Sequence, residues 1–236
     1  MQEARCEALW RAGAWDTADL LSASGPEAGS GFHSSIFFAL NGLYKGQSTG
    51  EGEVQKWLRA ARHATMADIG RDDVQVTKRS KSLLLQLQAC ENVDECVQAL
   101  SSGENLGENL SKLVTRWHTR YAAFEHDFGL VEPCVSMHTA LLSICSRSLH
   151  AEDPIRTQLG DHLCRAAKMA SRHGNMAFAR AALQRMRLYH PSAFEAPKPH
   201  EVPSAWRIRE AKTLWVDGQK DKVLQSPRTT SFHGST

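Results

Sequence analysis

Three stretches of this chain share a pattern that few folds accommodate. A small residue is followed seven positions later by a glycine, and five positions after that by another small residue. Cys6, Gly13 and Ala18 form the first instance, Ala167, Gly174 and Ala179 the second, and Ala211, Gly218 and Val223 the third. Ala39 and Gly46 form a weaker fourth that lacks the later small residue. The first stretch, Ala4 to Ala18, reads as one helix, a glycine break, and a second helix beginning at once. Glycine has no Cβ and takes the positive φ that ends a helix and reverses the chain. The small residues let two helices cross closely, and Trp10 and Trp15 supply large apolar bodies to clamp the two arms.

A helical hairpin of this kind cannot bury its own apolar face and needs stacked neighbours. The pattern therefore predicts an all-α protein, a degenerate tetratricopeptide-like or HEAT-like helical-hairpin solenoid with irregular spacing between copies. An ordinary helix bundle with glycine C-caps shares the same spacing. Period-two alternation is almost absent, and helical periodicity is frequent. Helices are expected over 32–44, with Ile36, Ala39, Leu40 and Leu43 on one stripe, and from Val54 through Trp57, Leu58 and Ala61 to about Gly70. A buried helix with a charged first turn is expected across Lys78 to Leu87, and a separate short one over 93–100. Leu110 to Phe124 carries Leu113, Val114, Trp117, Tyr121 and Phe124. The next helix opens at Glu132-Pro133 and carries Val135, Leu141, Leu142, Cys145 and Leu149. Asp153-Pro154 reads as an N-cap and first helical position. Ile155, Leu159, Leu163, Ala166, Ala167 and Ala170 then form a stripe ending near Gly174, and 176–188 returns. The last helix, about 204–217, has Ala205, Ile208, Ala211 and Trp215 among its apolar residues. Residues 22–30 and the proline-rich 191–203 read as loops, and 226–236 as a disordered tail after one segment spanning 1–225. All eight prolines fall at expected helix starts or in loops, so the local signals agree with one another.

Composition narrows the function classes. The net charge of +2 is too near neutral to argue for direct nucleic-acid binding, and no apolar run approaching the roughly 20 residues of a bilayer span stands out. The N-terminus has no signal-peptide core. Six scattered cysteines with no CxxC pair point to buried free thiols in a reducing, intracellular compartment.

No catalytic, cofactor-binding or metal-ligating residue is nominated. Asp127-Phe128-Gly129 spells the magnesium-binding tripeptide of protein kinases. No phosphate loop, strand lysine or catalytic Asp/Asn pair accompanies it, so it reads as a helix end and turn. The eleven histidines, among them His63, His138, His150, His190 and His200, show no ligand spacing and read as solvated or helix-terminal. Lys78-Arg79-Ser80-Lys81 reads as a solvated helix face. The six tryptophans sit at helical spacing with aliphatics, which suits packing at helix crossings.

Several words then become familiar. Arg5-Cys6-Glu7-Ala8-Leu9-Trp10-Arg11 with Trp15-Asp16, and Phe32-His33-Ser34-Ser35-Ile36 with Ala39-Leu40, resemble FAT-domain segments of ataxia-telangiectasia-mutated (ATM)-like kinases, within the phosphatidylinositol-3-kinase-related family. So do Arg116-Trp117-His118 with Phe128 and Glu132-Pro133, and Trp206 with Glu210-Ala211-Lys212-Thr213-Leu214-Trp215. The similarity runs in order from about residue 3 to 225. It implies a non-catalytic solenoid that positions a serine/threonine kinase domain outside this chain, in nuclear DNA-damage signalling and repair. ATP and Mg would belong to that kinase domain. The implied partners are the kinase domain and other solenoid parts of the same protein, with homodimerisation open and neither nucleic acid nor membrane bound directly. After Gln225 the chain turns to Ser226-Pro227-Arg228, where the family continues in helix. A free-standing tetratricopeptide-like adaptor for protein–protein interaction is the alternative.

Overall fold

The computed structural model describes residues 2–17, 31–46, 51–69, 76–101, 106–122, 126–147, 154–189 and 205–218. These residues form nine α-helices and no strand: α1 Gln2–Ala12, α2 Phe32–Tyr44, α3 Glu51–Ile69, α4 Val76–Ser101, α5 Leu106–Ala122, α6 Phe128–Arg147, α7 Pro154–Arg172, α8 Met176–Tyr189 and α9 Ala205–Val216. The chain divides into two compact units, Met1–Ile155 and Arg156–Thr236. The expected loops at 22–30 and 191–203, the residues Ala18, Phe124, Leu149, Asp153 and Val223, and the 226–236 tail lie outside the described residues.

The four glycines of the sequence pattern are the four described glycines with positive φ: Gly13 at 71°, Gly46 at 73°, Gly174 at 75° and Gly218 at 77°. Each closes a helix through its own N–H. Gly174 N, for example, donates to the Ser171 carbonyl at 3.3 Å, and Asn175 N reaches back to Ala170 at 2.9 Å. Of the small residues at the earlier place, Cys6, Ala39 and Ala167 are fully buried and Ala211 is half-buried; Ala179 at the later place is fully buried. After Gly13 the chain enters a short 3-10 turn, Trp15–Thr17. Trp10 stacks on His33 at 6.3 Å and Trp15 on Phe37 at 6.1 Å, so both hold α2; the second arm of the expected hairpin, from Ala18 on, lies outside the described residues.

In the first unit α2, α4 and α6 form an inner layer. Each touches the other two, while α1, α3 and α5 lie outside and link them. Side-chain pairs give the directions. Gln55–Asp94, Arg62–Glu91 and Thr65–Gln86 make α3 antiparallel to α4. Cys134 with the Leu85 carbonyl, His138 with Asn92, and Cys145 with Cys96 make α6 parallel to α4. Parallel inner helices joined by antiparallel outer ones are the geometry that stacked hairpins produce. The inner layer also closes on itself. Arg11 of α1 pairs with Glu132 of α6, and Arg147 of α6 donates to the Tyr44 hydroxyl at the end of α2. Accordingly α2 is buried nearly all round, well beyond the single stripe its sequence suggests.

Three sequence expectations need correction. Residues 76–101 are one 26-residue helix rather than two, because no glycine or proline interrupts them and Leu83, Cys90, Val93 and Val97 form one continuous buried side. Helix α6 starts at Phe128, one turn before Glu132-Pro133. Asp127 caps it, its Oδ1 accepting from Leu130 N at 3.2 Å. Asp127-Phe128-Gly129 is thus a helix start rather than a helix end. Pro133 lies inside the helix, where it removes only the bond to the Gly129 carbonyl. Finally, α6 is 20 residues long with a mean hydropathy of 1.4, enough by length and composition to cross a membrane. In this structure 72% of that window is buried inside the protein, so its apolarity is used against α1, α2 and α4.

At Gly174 an added Cβ meets nothing within 4 Å, so any cost of Gly174→Ala is backbone strain alone. The expected loss is about 1 kcal/mol, a fall in Tm of about 2–4 °C. At Gly31 an added Cβ would collide with the Glu3 carboxylate, which accepts from His33 N and Ser34 N to cap α2. Gly31→Ala should therefore displace that cap and cost about 1–2 kcal/mol by thermal unfolding, and Glu3→Ala should reproduce most of the loss.

Candidate functional site

Helices present two arrangements to chemistry here: a polar node inside the first unit, and the surface of the second. The node begins on α4, whose length carries Gln88, Asn92 and Glu95 along one edge. The Glu95 carboxylate accepts from Trp117 Nε1 at 3.0 Å and from both Arg120 guanidinium nitrogens at 2.8 and 2.6 Å, with Arg116 at 3.2 Å. Burial pushes the Glu95 pKa up. The Arg120 and Trp117 hydrogen bonds, with the Arg120 and Arg116 charges, outweigh it and hold the pKa below its ordinary value. Beside it, Asn92 is fully buried and hydrogen-bonded to His138 Nε2 at 3.0 Å. His138 stacks on Trp117 with ring centroids 4.2 Å apart and planes 5° from parallel.

His138 therefore differs from the expectation of a solvated or helix-terminal histidine. It is 1% exposed in the middle of α6, and His162 is buried as well. Its apolar neighbours in α6 predicted burial, but the Asn92 and Trp117 partners lie 46 and 21 residues away, beyond any local pattern. His63 is exposed as expected, and His150, His190 and His200 lie outside the described residues. Among the described residues no group of three or more His, Cys, Asp and Glu side chains could hold a metal ion. The node's donors and acceptors are occupied by one another, so its chemistry is structural: it locks α4, α5 and α6 in register.

The second unit carries a different signal, hidden in the whole-chain charge. The first unit holds 14 Lys/Arg against 20 Asp/Glu, a net −6. The second holds 14 against 6, a net +8, and the two return the chain's +2. Of the second unit's described carboxylates, Asp217 pairs with Arg180 at 2.6 Å, Glu210 with Arg187 at 2.6 Å, and Asp161 accepts from Trp206 Nε1 at 2.9 Å. These bonds tie α9 to α8 and α7. Arg165, Lys168 and Arg172 sit at i, i+3 and i+7 on one face of α7, and none reaches a described carboxylate. They form a cationic stripe.

The polar bonds also fix the rotation of α9. Trp206, Glu210, Thr213 and Asp217 lie on one helical face, and that face turns inward, with Thr213 buried. The expected apolar side of α9 consequently turns outward: Ile208 is 39% and Trp215 52% exposed. Leu188 of α8 and Val216 add to this surface. Sequence periodicity missed the inward face because Glu210, Thr213 and Asp217 on it are polar, and the partners Arg187, Arg180 and Asp161 reveal it.

The family model of the FAT domain matches residues 2–229 of the chain. No curated protein matches it.

The lowered Glu95 pKa carries a definite sign. Its contribution to stability is present above the pKa of an unfolded glutamate and fades as pH falls through the lower folded-state value. Glu95→Gln should lower stability at pH 7 by about 2 kcal/mol, and the difference from the parent should shrink as pH drops below about 4. Urea unfolding at several pH values measures both.

Proposed function

Because the chain belongs to the FAT-domain family, the helical scaffold region of phosphatidylinositol-3-kinase-related kinases, we propose that it is the non-catalytic scaffold of an ATM-like serine/threonine kinase. In this reading it acts in nuclear DNA-damage signalling and repair, and positions a kinase domain that lies outside residues 1–236. The observation that carries the reading is the family match over 2–229, supported by the ordered run of ATM-like words from Arg5 to Trp215.

The proposed mechanism is mechanical. The first unit, locked by the Glu95 node and by the Arg11–Glu132 and Arg147–Tyr44 contacts, is the stiff part. The second unit offers surface for docking. Its cationic stripe and the outward Ile208–Trp215 face of α9 suit the kinase domain or a neighbouring solenoid segment of the same protein, with apolar area supplying affinity and charge supplying orientation. ATP and Mg belong to the kinase domain and meet no residue named here.

The test uses the full-length product of the coding sequence that contains this chain. Purified, it should phosphorylate peptides at Ser or Thr before Gln. Arg165→Glu with Lys168→Glu and Arg172→Glu should reduce kcat at least about 5-fold while leaving the KM for ATP within 2-fold, because the change misplaces the kinase domain without touching its nucleotide site. A product with no kinase activity that retains peptides on its helical surface would overturn the scaffold reading in favour of the adaptor. Unchanged kcat in the triple variant would overturn the role given to the stripe.

A further inference from the structure

Helices α4 and α6 run side by side in parallel, and their seam is rich in thiols. Cys96 faces it from α4, and Cys134 and Cys145 from α6. Cys134 is engaged with the Leu85 carbonyl at 3.7 Å. Cys96 and Cys145 meet each other, with their Sγ atoms 3.6 Å apart and the residues 1% and 2% exposed. A disulfide has its sulfurs about 2.05 Å apart, so bonding requires an approach of only about 1.5 Å across the seam.

The pair also has a built-in gate. While packed, Cys96 is held protonated: its hydrogen bond to Cys145, together with burial, raises its pKa well above the ordinary thiol range. Cys145, however, lies two residues from the end of α6 at Arg147, and terminal turns are where helices open first. Arg147 tethers that end to α2. Arg147 donates to the Tyr44 hydroxyl and lies over the Tyr44 ring, its guanidinium carbon 4.2 Å from the centroid. Release of the tether frees the last turn of α6 and with it Cys145.

We propose that Cys96 and Cys145 form an oxidation-sensitive thiol pair, which hydrogen peroxide converts to a disulfide stapling α4 to α6. On opening, the Cys145 thiolate attacks one peroxide oxygen. The O–O bond breaks, hydroxide leaves, and Cys145 becomes a sulfenic acid. As the turn recloses, Cys96 sulfur attacks the Cys145 sulfur. The S–S bond forms, the S–O bond breaks, and the oxygen leaves as water with the Cys96 proton. In sum two thiols and one peroxide give one disulfide and two waters, with two electrons passing from sulfur to oxygen. The cross-link joins the inner helices beside the Asn92–His138 contact and removes the freedom of α6 to open there.

The full 236-residue chain, folded, is treated with hydrogen peroxide, its remaining thiols are blocked with N-ethylmaleimide, and the unreduced digest is analysed by mass spectrometry. The expected product joins the Cys96 and Cys145 peptides with a loss of two hydrogens. Dithiothreitol reverses it, and Cys145→Ala abolishes it. The oxidised chain should unfold about 5 °C higher than the reduced one. Arg147→Ala and Tyr44→Phe should speed cross-linking about 3-fold or more, a readout that two merely packed thiols would not give. Cys96 or Cys145 ending as a sulfinic acid, a disulfide between other cysteines, or thiols that stay reduced in both the parent and Arg147→Ala proteins would each overturn the proposal.

Discussion

One carboxylate organises the first unit. Glu95 stands on α4 and receives Trp117 and Arg120 from α5, with Arg116 added from nearer solvent. Taking a carboxylate out of water is costly, and removing one partner of such a set strands the others. Here three donors offset that cost, and the direction of the Glu95 pKa records that they win. Because Trp117 also stacks on His138 and Asn92 bonds to it, the same cluster reaches α6. Three helices are thus fixed against sliding by polar contacts whose geometry is far more exacting than apolar contact alone.

Helix α6 shows how strongly that arrangement is used. It is the most apolar long helix, yet it carries Ser136, His138, Thr139, Ser143 and Ser146. Thr139 and Ser143 satisfy themselves on the preceding turn's carbonyls, Val135 and Thr139, at 2.9 and 2.6 Å. That self-satisfaction lets the helix be buried on several sides at once, against α1, α2 and α4. The unit is accordingly tied at both ends, by Arg11–Glu132 at one and Arg147–Tyr44 at the other. A stiff block of this kind suits a scaffold, whose use lies in holding other parts at fixed distances.

The second unit follows a different logic. It is cationic where the first is anionic, and its last helix is held by ion pairs and an indole hydrogen bond rather than by an apolar stripe. Its apolar side chains Leu188, Ile208 and Val216 face outward.

Local chemistry alone determined the helices, their glycine reversals and the small residues at the crossings. Positive φ is a property glycine brings with it, and the spacing of Ile155, Leu159, Leu163 and Ala166 repeats with the helical turn. The burial of His138 and the rotation of α9 were decided by the tertiary structure. Each depends on a partner at long sequence separation: Asn92 for His138, Asp161 for Trp206, Arg180 for Asp217. Periodicity reports which side of a helix is apolar. Which side turns inward is settled by what waits there, and for α9 that was a set of charges.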